Sequence, residues 1–81
     1  MIDVHFFAQL REQLDCAYIR IEYSGQRTIG DIKKNLSEQG QNWQALDSDN
    51  ILMAVNQTLC EESQAIQDGD EIAFFPPVTG G

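Results

Sequence analysis

The sequence predicts an α+β fold, a mixed sheet of about five strands packed on one main helix with short helices beside it. Three observations lead there. Residues 2–8, 17–23 and 71–75 alternate apolar and polar side chains, the period of strands with one covered face. Only the stretch over residues 28–40 sustains a helical apolar stripe. Eighty-one residues, 42% of them hydrophobic, suffice for a single core. One folded domain over residues 1–75 and an extended tail over 76–81 are therefore expected.

Each element follows from its residues. In the first strand Ile2, Val4, Phe6 and Ala8 share one face, and Asp3, His5 and Phe7 the other. Leu10 and Leu14, four apart, predict a short helical turn over residues 9–14 that covers one end of the sheet. A second strand turns Ala17, Ile19, Ile21 and Tyr23 one way, and Ser24-Gly25 supplies its turn. Thr28 and Asp31 then have the spacing of a capping box, with the Thr28 hydroxyl accepting from the Asp31 amide and the carboxylate favoured at the positive helix end. The main helix follows, with Ile29, Ile32 and Leu36 inward, Lys33, Lys34 and Glu38 in water, and Gly40 suited to a left-handed C′ position. Trp43 and Leu46 predict one further helical turn that plugs the core edge, and residues 47–50 a polar turn. Residues 51–55 are apolar throughout, as in a strand covered on both faces. Asn56-Gln57 turns them into a brief strand over residues 58–60. Ala65-Ile66 anchors a polar connection, Asp68-Gly69-Asp70 makes a turn, and Pro76-Pro77, unable to donate to a ladder, ends the last strand. This order of elements is that of a ubiquitin-like β-grasp domain, in which the first and last strands lie side by side at the sheet centre.

Composition excludes several functions. Five Lys/Arg against thirteen Asp/Glu leave a net charge of −8, which repels a phosphate backbone, so no nucleic-acid partner is expected. The acids are spread along the chain as a solvated surface, and they also suit steering toward basic protein partners. The longest apolar run is five residues, too short to span a membrane. Cys16 and Cys60 have no second Cys or His at ligand spacing, so no metal site is expected. One disulfide is compatible with the sequence, but no secretory segment precedes the first strand, which points to reduced thiols and a cytoplasmic setting.

The catalytic inventory is thin. His5 reads as a surface residue of the sheet, neither cysteine has a neighbour that activates it, and no phosphate loop or nucleophile triad is present. The terminal Gly80-Gly81 offers the chemistry the side chains lack. Chance gives such an end about once in 200 chains, and here Pro-Pro separates it from the fold. Residues without Cβ pass through a narrow channel, and a terminal glycine leaves its carboxyl open to attack. A carboxylate is a poor electrophile, so an external enzyme would have to convert Gly81 into an acyl-adenylate with ATP. The activated carbonyl then accepts sulfur to give a thiocarboxylate, or an amine to give an isopeptide. The residues themselves leave both open, and also an inert tail on a plain interaction module.

The runs Phe6-Phe7-Ala8-Gln9-Leu10-Arg11-Glu12, Ala54-Val55-Asn56-Gln57 and Asp68-Gly69-Asp70-Glu71-Ile72-Ala73-Phe74-Phe75-Pro76-Pro77-Val78-Thr79-Gly80-Gly81 resemble the small, sulfur-carrying subunits of molybdopterin synthase. The Phe-Phe-Pro-Pro-Val-Thr-Gly-Gly end is the most specific part. The resemblance implies a carrier whose Gly81 is adenylated by an enzyme of the ubiquitin-activating type, converted to a thiocarboxylate with sulfur relayed from cysteine, and inserted into the large subunit. There it would deliver sulfur to cyclic pyranopterin monophosphate within a heterotetramer of two small and two large subunits. The chain would be the sulfur-donating subunit of a transferase, not catalytic alone. It would bind no cofactor itself, the ATP being used by the activating enzyme. Related readings are a sulfur carrier for thiamin thiazole synthesis and a ubiquitin-like protein modifier.

Reach and docking agree with this. Residues 76–81 fully extended span at most about 20 Å, enough to enter a neighbour's pocket. If Phe6 and Phe74 face the helix, Phe7 and Phe75 lie together on the opposite face, where Leu59 joins them, unless a loop covers them. Phe7, Leu59 and Phe75 match positions that the family uses to meet its partners, and Arg11 is a candidate rim contact. Pro76, Pro77, Val78 and Thr79 would be partner-binding residues of the tail, with Gly80 passing the narrow channel and Gly81 at the reacting end.

Overall fold

The computed structural model describes residues 1–47 and 50–76. Ser48 and Asp49 of the expected polar turn, and Pro77, Val78, Thr79, Gly80 and Gly81 of the expected tail, lie outside the described residues. In chain order the elements are β1 (Ile2–Phe6), α1 (Ala8–Leu14), β2 (Tyr18–Ile21), α2 (Ile29–Ser37), a 3₁₀ segment (Asn42–Asp47), β3 (Leu52–Val55), β4 (Thr58–Cys60) and β5 (Glu71–Phe75). They form one five-stranded sheet in the order β2-β1-β5-β3-β4. The pairing β1·β5 is parallel and the other three are antiparallel. The expected central adjacency of first and last strands is therefore present.

Register explains the core. Val4 lies opposite Ile72 and Phe6 opposite Phe74, so each pair points to the same side of the sheet. Met53 and Val55 continue that side through β3. Ile29, Ile32 and Leu36 of α2 meet them, and Leu10, Leu14, Leu46 and Ile66 close the ends. Phe6 stacks on Phe74 with centroids 6.0 Å apart and takes the edge of Trp43 at 5.5 Å. The 3₁₀ segment is thus the plug that Trp43 and Leu46 predict.

Local signals placed the turns well. The capping box closes in both directions: the Asp31 amide donates to Thr28 Oγ1 at 3.2 Å, and the Thr28 amide donates to Asp31 Oδ2 at 3.2 Å. Asn56 and Gln57 both take positive φ, 51° and 70°, the geometry of a tight two-residue hairpin turn of type I′. Gly25 and Gly69 also sit at positive φ, as their turns require.

Several expectations need correction. Ala8 is not the last inward residue of β1 but the exposed first residue of α1, because Phe7 turns the chain into the helix. β2 is shorter than residues 17–23, and Ala17 and Tyr23 are exposed, since this edge strand pairs with β1 only over Tyr18–Ile21. Helix α2 stops at Ser37, whose hydroxyl donates to the Lys34 carbonyl at 2.7 Å, and Gly40 takes no left-handed conformation. Lys33 is buried instead of hydrated, 4% exposed. It stands four residues after Ile29, at the border of the buried stripe, and its ammonium reaches Glu62 Oε1 at 3.2 Å while its stem packs inward. In β3, Leu52 is 39% exposed, so that strand is not covered on both faces along its whole length. Ile66 alone is the buried anchor of its connection, and Ala65 is exposed, bridging Thr28.

Candidate functional site

The sheet face turned away from α2 carries the candidate site. Its residues are those of opposite parity to the core: Leu52 and Ala54 on β3, Leu59 on β4, and Ala73 and Phe75 on β5. Phe7 belongs with them because its amide donates to the Phe74 carbonyl at 3.2 Å, which prolongs the β1·β5 pairing by one residue. The Phe7 and Phe75 rings consequently stack with centroids 4.9 Å apart and planes 9° from parallel.

Cross-strand pairs shape the surface. Ala54 lies opposite both Leu59 and Ala73, so two small residues form a floor between larger neighbours. The result is a depression of about 310 Å³ lined by Phe7, Ala54, Gln57, Leu59, Glu71, Ala73 and Phe75. Phe7 is 43% and Leu59 67% exposed, and no loop among the described residues covers them. Large apolar side chains gathered in water are a feature of interaction surfaces.

Toward β2 the same face turns polar. His5 lies against Tyr18 with centroids 4.9 Å apart, and the Tyr18 hydroxyl donates to Asp3 Oδ1 at 2.6 Å. That hydrogen bond, followed by desolvation and the Asp3 charge, pushes the Tyr18 phenol above its ordinary range. Arg20 Nε also meets Asp3 Oδ1, at 3.2 Å. At the opposite end, Asn56 links the hairpin to β5: its amide donates to the Glu71 carbonyl at 2.7 Å, its Oδ1 accepts from the Glu71 amide at 3.0 Å, and its Nδ2 donates to Asp70 Oδ1 at 3.1 Å. This clamp holds Gln57 and Glu71 at the rim.

The structure brings Phe7, Leu59 and Phe75 together as expected from alternation. Arg11 sits on the exposed side of α1 and is not among the residues lining the depression. Pro76, half-buried, follows Phe75 directly. Ala54, Ala73, Gln57 and Glu71 belong to the site although sequence reasoning did not select them. The signal for the alanines is the β3·β5 register, which no single strand reveals.

Elsewhere the chemistry is quiet. Cys16 and Cys60 are both free thiols, and burial pushes the Cys60 thiol up. Among the described residues no three His, Cys, Asp or Glu side chains are grouped to hold a metal ion, and no helix is long and apolar enough to cross a membrane. The depression itself holds apolar groups, one amide and one carboxylate.

Fold and site together define a ubiquitin-like β-grasp protein with an exposed apolar depression beside the end of its last strand. The chain belongs to the ThiS family, whose sequence model matches residues 4–81. It is 44% identical over 82 residues to the molybdopterin synthase sulfur carrier subunit of Haemophilus influenzae, with 100% of both chains covered. The resemblance that its sequence motifs suggest is thereby shown. Among solved structures it resembles the crystal structure of SAMP1 from Haloferax volcanii, with a TM-score of 0.81, 29% identity, and 99% of this chain and 98% of that chain covered. It also resembles a chain of the complex of subunits 1 and 2 of molybdopterin-converting factor from Helicobacter pylori, with a TM-score of 0.68, 25% identity, and coverage of 99% and 97%.

Proposed function

We propose that this protein is the sulfur-carrier subunit of a molybdopterin synthase. The full-length 44% identity to a protein of that name carries the reading. The apolar depression of Phe7, Leu59 and Phe75 supports it, because it gives a large subunit a surface to grip directly before the tail begins at Pro76.

The chemistry proceeds at Gly81. A ubiquitin-activating-like adenylyltransferase joins the Gly81 carboxylate to the α-phosphate of ATP and releases pyrophosphate. A cysteine persulfide on a second enzyme then displaces AMP to give an acyl disulfide, and a further thiol cleaves its S–S bond, leaving the thiocarboxylate on Gly81 and a disulfide between the two thiols. Residues 1–75 act as the docking body and 76–81 as the reagent, with Pro76, Pro77, Val78 and Thr79 binding the partner and Gly80 passing the narrowest point. Inside the large subunit, two successive carriers supply the two dithiolene sulfurs to cyclic pyranopterin monophosphate, and each returns as a carboxylate. Acid–base groups and phosphate-binding cations belong to the large subunit. The assembly contains two small and two large subunits and works in the cytoplasm, with no cofactor on this chain.

Intact mass of the protein, purified from cells that make its activating enzyme, tests the reading. The expected gain is the difference between one sulfur and one oxygen atom, absent when Gly81 is deleted. Failure to gain sulfur where an authentic carrier does so refutes the proposal, and attachment of Gly81 to lysines of other proteins replaces it with a protein modifier.

A further inference from the structure

Gln57 is the second residue of the β3–β4 turn and holds φ of 70°. Glycine is strongly preferred at that position, because a Cβ in the left-handed region crowds the following carbonyl. Asn56, the first turn residue, tolerates this region and uses its side chain to clamp Asp70 and Glu71. Gln57 has no such excuse. Its side chain makes no hydrogen bond among the described residues, yet it lines the depression beside Leu59, Phe75 and Glu71. Strained backbone clusters at binding sites and clamps, and of the four described non-glycine residues at positive φ, Ala8 and Asp15 bound α1 while Asn56 and Gln57 stand at this rim.

We infer that Gln57 is a partner-contacting residue of the docking face, held in an unfavourable backbone conformation so that its amide can bond the protein seated on Phe7, Leu59 and Phe75. The inference rests on the proposed sulfur-carrier reading, and the occupant is accordingly the large subunit of molybdopterin synthase. The chemistry of the contact follows from the rim. Gln57 and Glu71 are the polar groups lining an otherwise apolar depression, and the chain carries a net charge of −8. A partner that inserts an apolar side chain over Ala54 and Ala73 therefore presents a cationic or N–H donor to the Gln57 carbonyl oxygen and the Glu71 carboxylate.

Opposite signs separate this role from a structural one. Replacing Gln57 by glycine relieves the left-handed strain and removes the amide. Gln57→Gly is expected to raise the thermal midpoint by about 4 °C, and to weaken binding of the purified large subunit about fivefold in calorimetric titration. The wild-type chain and Phe75→Ala are titrated in parallel. Unchanged affinity of Gln57→Gly, or a lowered midpoint, overturns the inference while wild-type binding that Phe75→Ala weakens leaves the carrier reading standing. No binding by the wild-type chain refutes the partner reading and this inference with it.

Discussion

Phe74 and Phe75 are adjacent in sequence and opposite in purpose, so truncating each to alanine separates folding from docking. Phe74 is fully buried and stacks on Phe6. Its loss costs about 3–5 kcal/mol, against about 4–12 kcal/mol for a domain of 81 residues. Phe74→Ala should therefore lower the thermal midpoint by at least about 12 °C. Phe75 is half-buried, and its principal neighbour is the Phe7 ring at 4.9 Å. Losing that stack costs about 1 kcal/mol and losing the ring's half-burial about 1 kcal/mol more, which together lower the midpoint by about 8–16 °C and leave the fold intact. In the proposed complex the same ring would be an aromatic anchor. Such anchors cost at least about 2 kcal/mol on truncation, a loss of about thirtyfold in affinity. Circular dichroism melts of both variants give the stability side, and calorimetric titration of Phe75→Ala with the large subunit gives the other. Because the rings touch, Phe7→Ala and Phe75→Ala should be non-additive in binding. The reasoning is refuted if Phe75→Ala unfolds like Phe74→Ala, or if it binds both the large subunit and the activating enzyme as the wild-type chain does.

Adding one residue after Gly81 should abolish sulfur loading by the activating enzyme without shifting the melting midpoint, read by intact mass and calorimetry; loaded product from the extended chain would exclude the carboxylate mechanism. Asp31 accepts from the Arg27 and Thr28 amides at 3.0 and 3.2 Å, and those bonds hold its carboxyl below the usual range. The folded pKa is depressed, so the stabilisation is complete above the unfolded value of about 3.9 and is lost as pH falls through the folded value. Asp31→Asn should therefore lower stability at neutral pH and shrink the loss on acidification, and melts between neutral and acid pH that run parallel to wild type count against the capping role. Gly30→Ala should destabilise by about 1–3 kcal/mol in spite of the helix propensity gained. The added Cβ would stand 2.9 Å from the Glu62 carbonyl oxygen and 3.1 Å from its Cβ, and a raised midpoint would show that this loop yields freely.

What was legible in the sequence depended on how far apart the interacting residues lie. Thr28 and Asp31 are three residues apart, and their capping box is written in the local chain. Alternation in β1 and β5 likewise sorted Phe6 and Phe74 from Phe7 and Phe75, because side chains on a strand have only two directions. Lys33 failed for the opposite reason. Its burial depends on a connection 29 residues away that brings Glu62 over the helix, and a helical wheel contains no such term. Leu52 misled because the outer face of β3 is itself apolar, so an exposed side chain hid inside what looked like a doubly covered strand. Gly40 suggested a left-handed cap, but the Ser37 hydroxyl had already satisfied a terminal carbonyl. The depression needed two strand pairings at once, which place Ala54 between Leu59 and Ala73. The clue to Gln57 was in the sequence: Asn followed by something other than glycine at a tight turn.

The parallel pairing of β1 with β5 has a consequence for synthesis. Asp3 waits for Glu71, and Phe6 for Phe74, so the ribosome makes the opening strand long before its central partner exists. Such non-local closure is slow and leaves β1 an unpaired edge in any chain stopped short of β5. A nascent molecule released early cannot assemble the sheet centre or the Phe7–Phe75 stack that the docking face requires. The docking-face geometry is thereby a property of the nearly complete chain: a polypeptide that ends before Phe75 lacks both the full central strand and the ring that Phe7 stacks on.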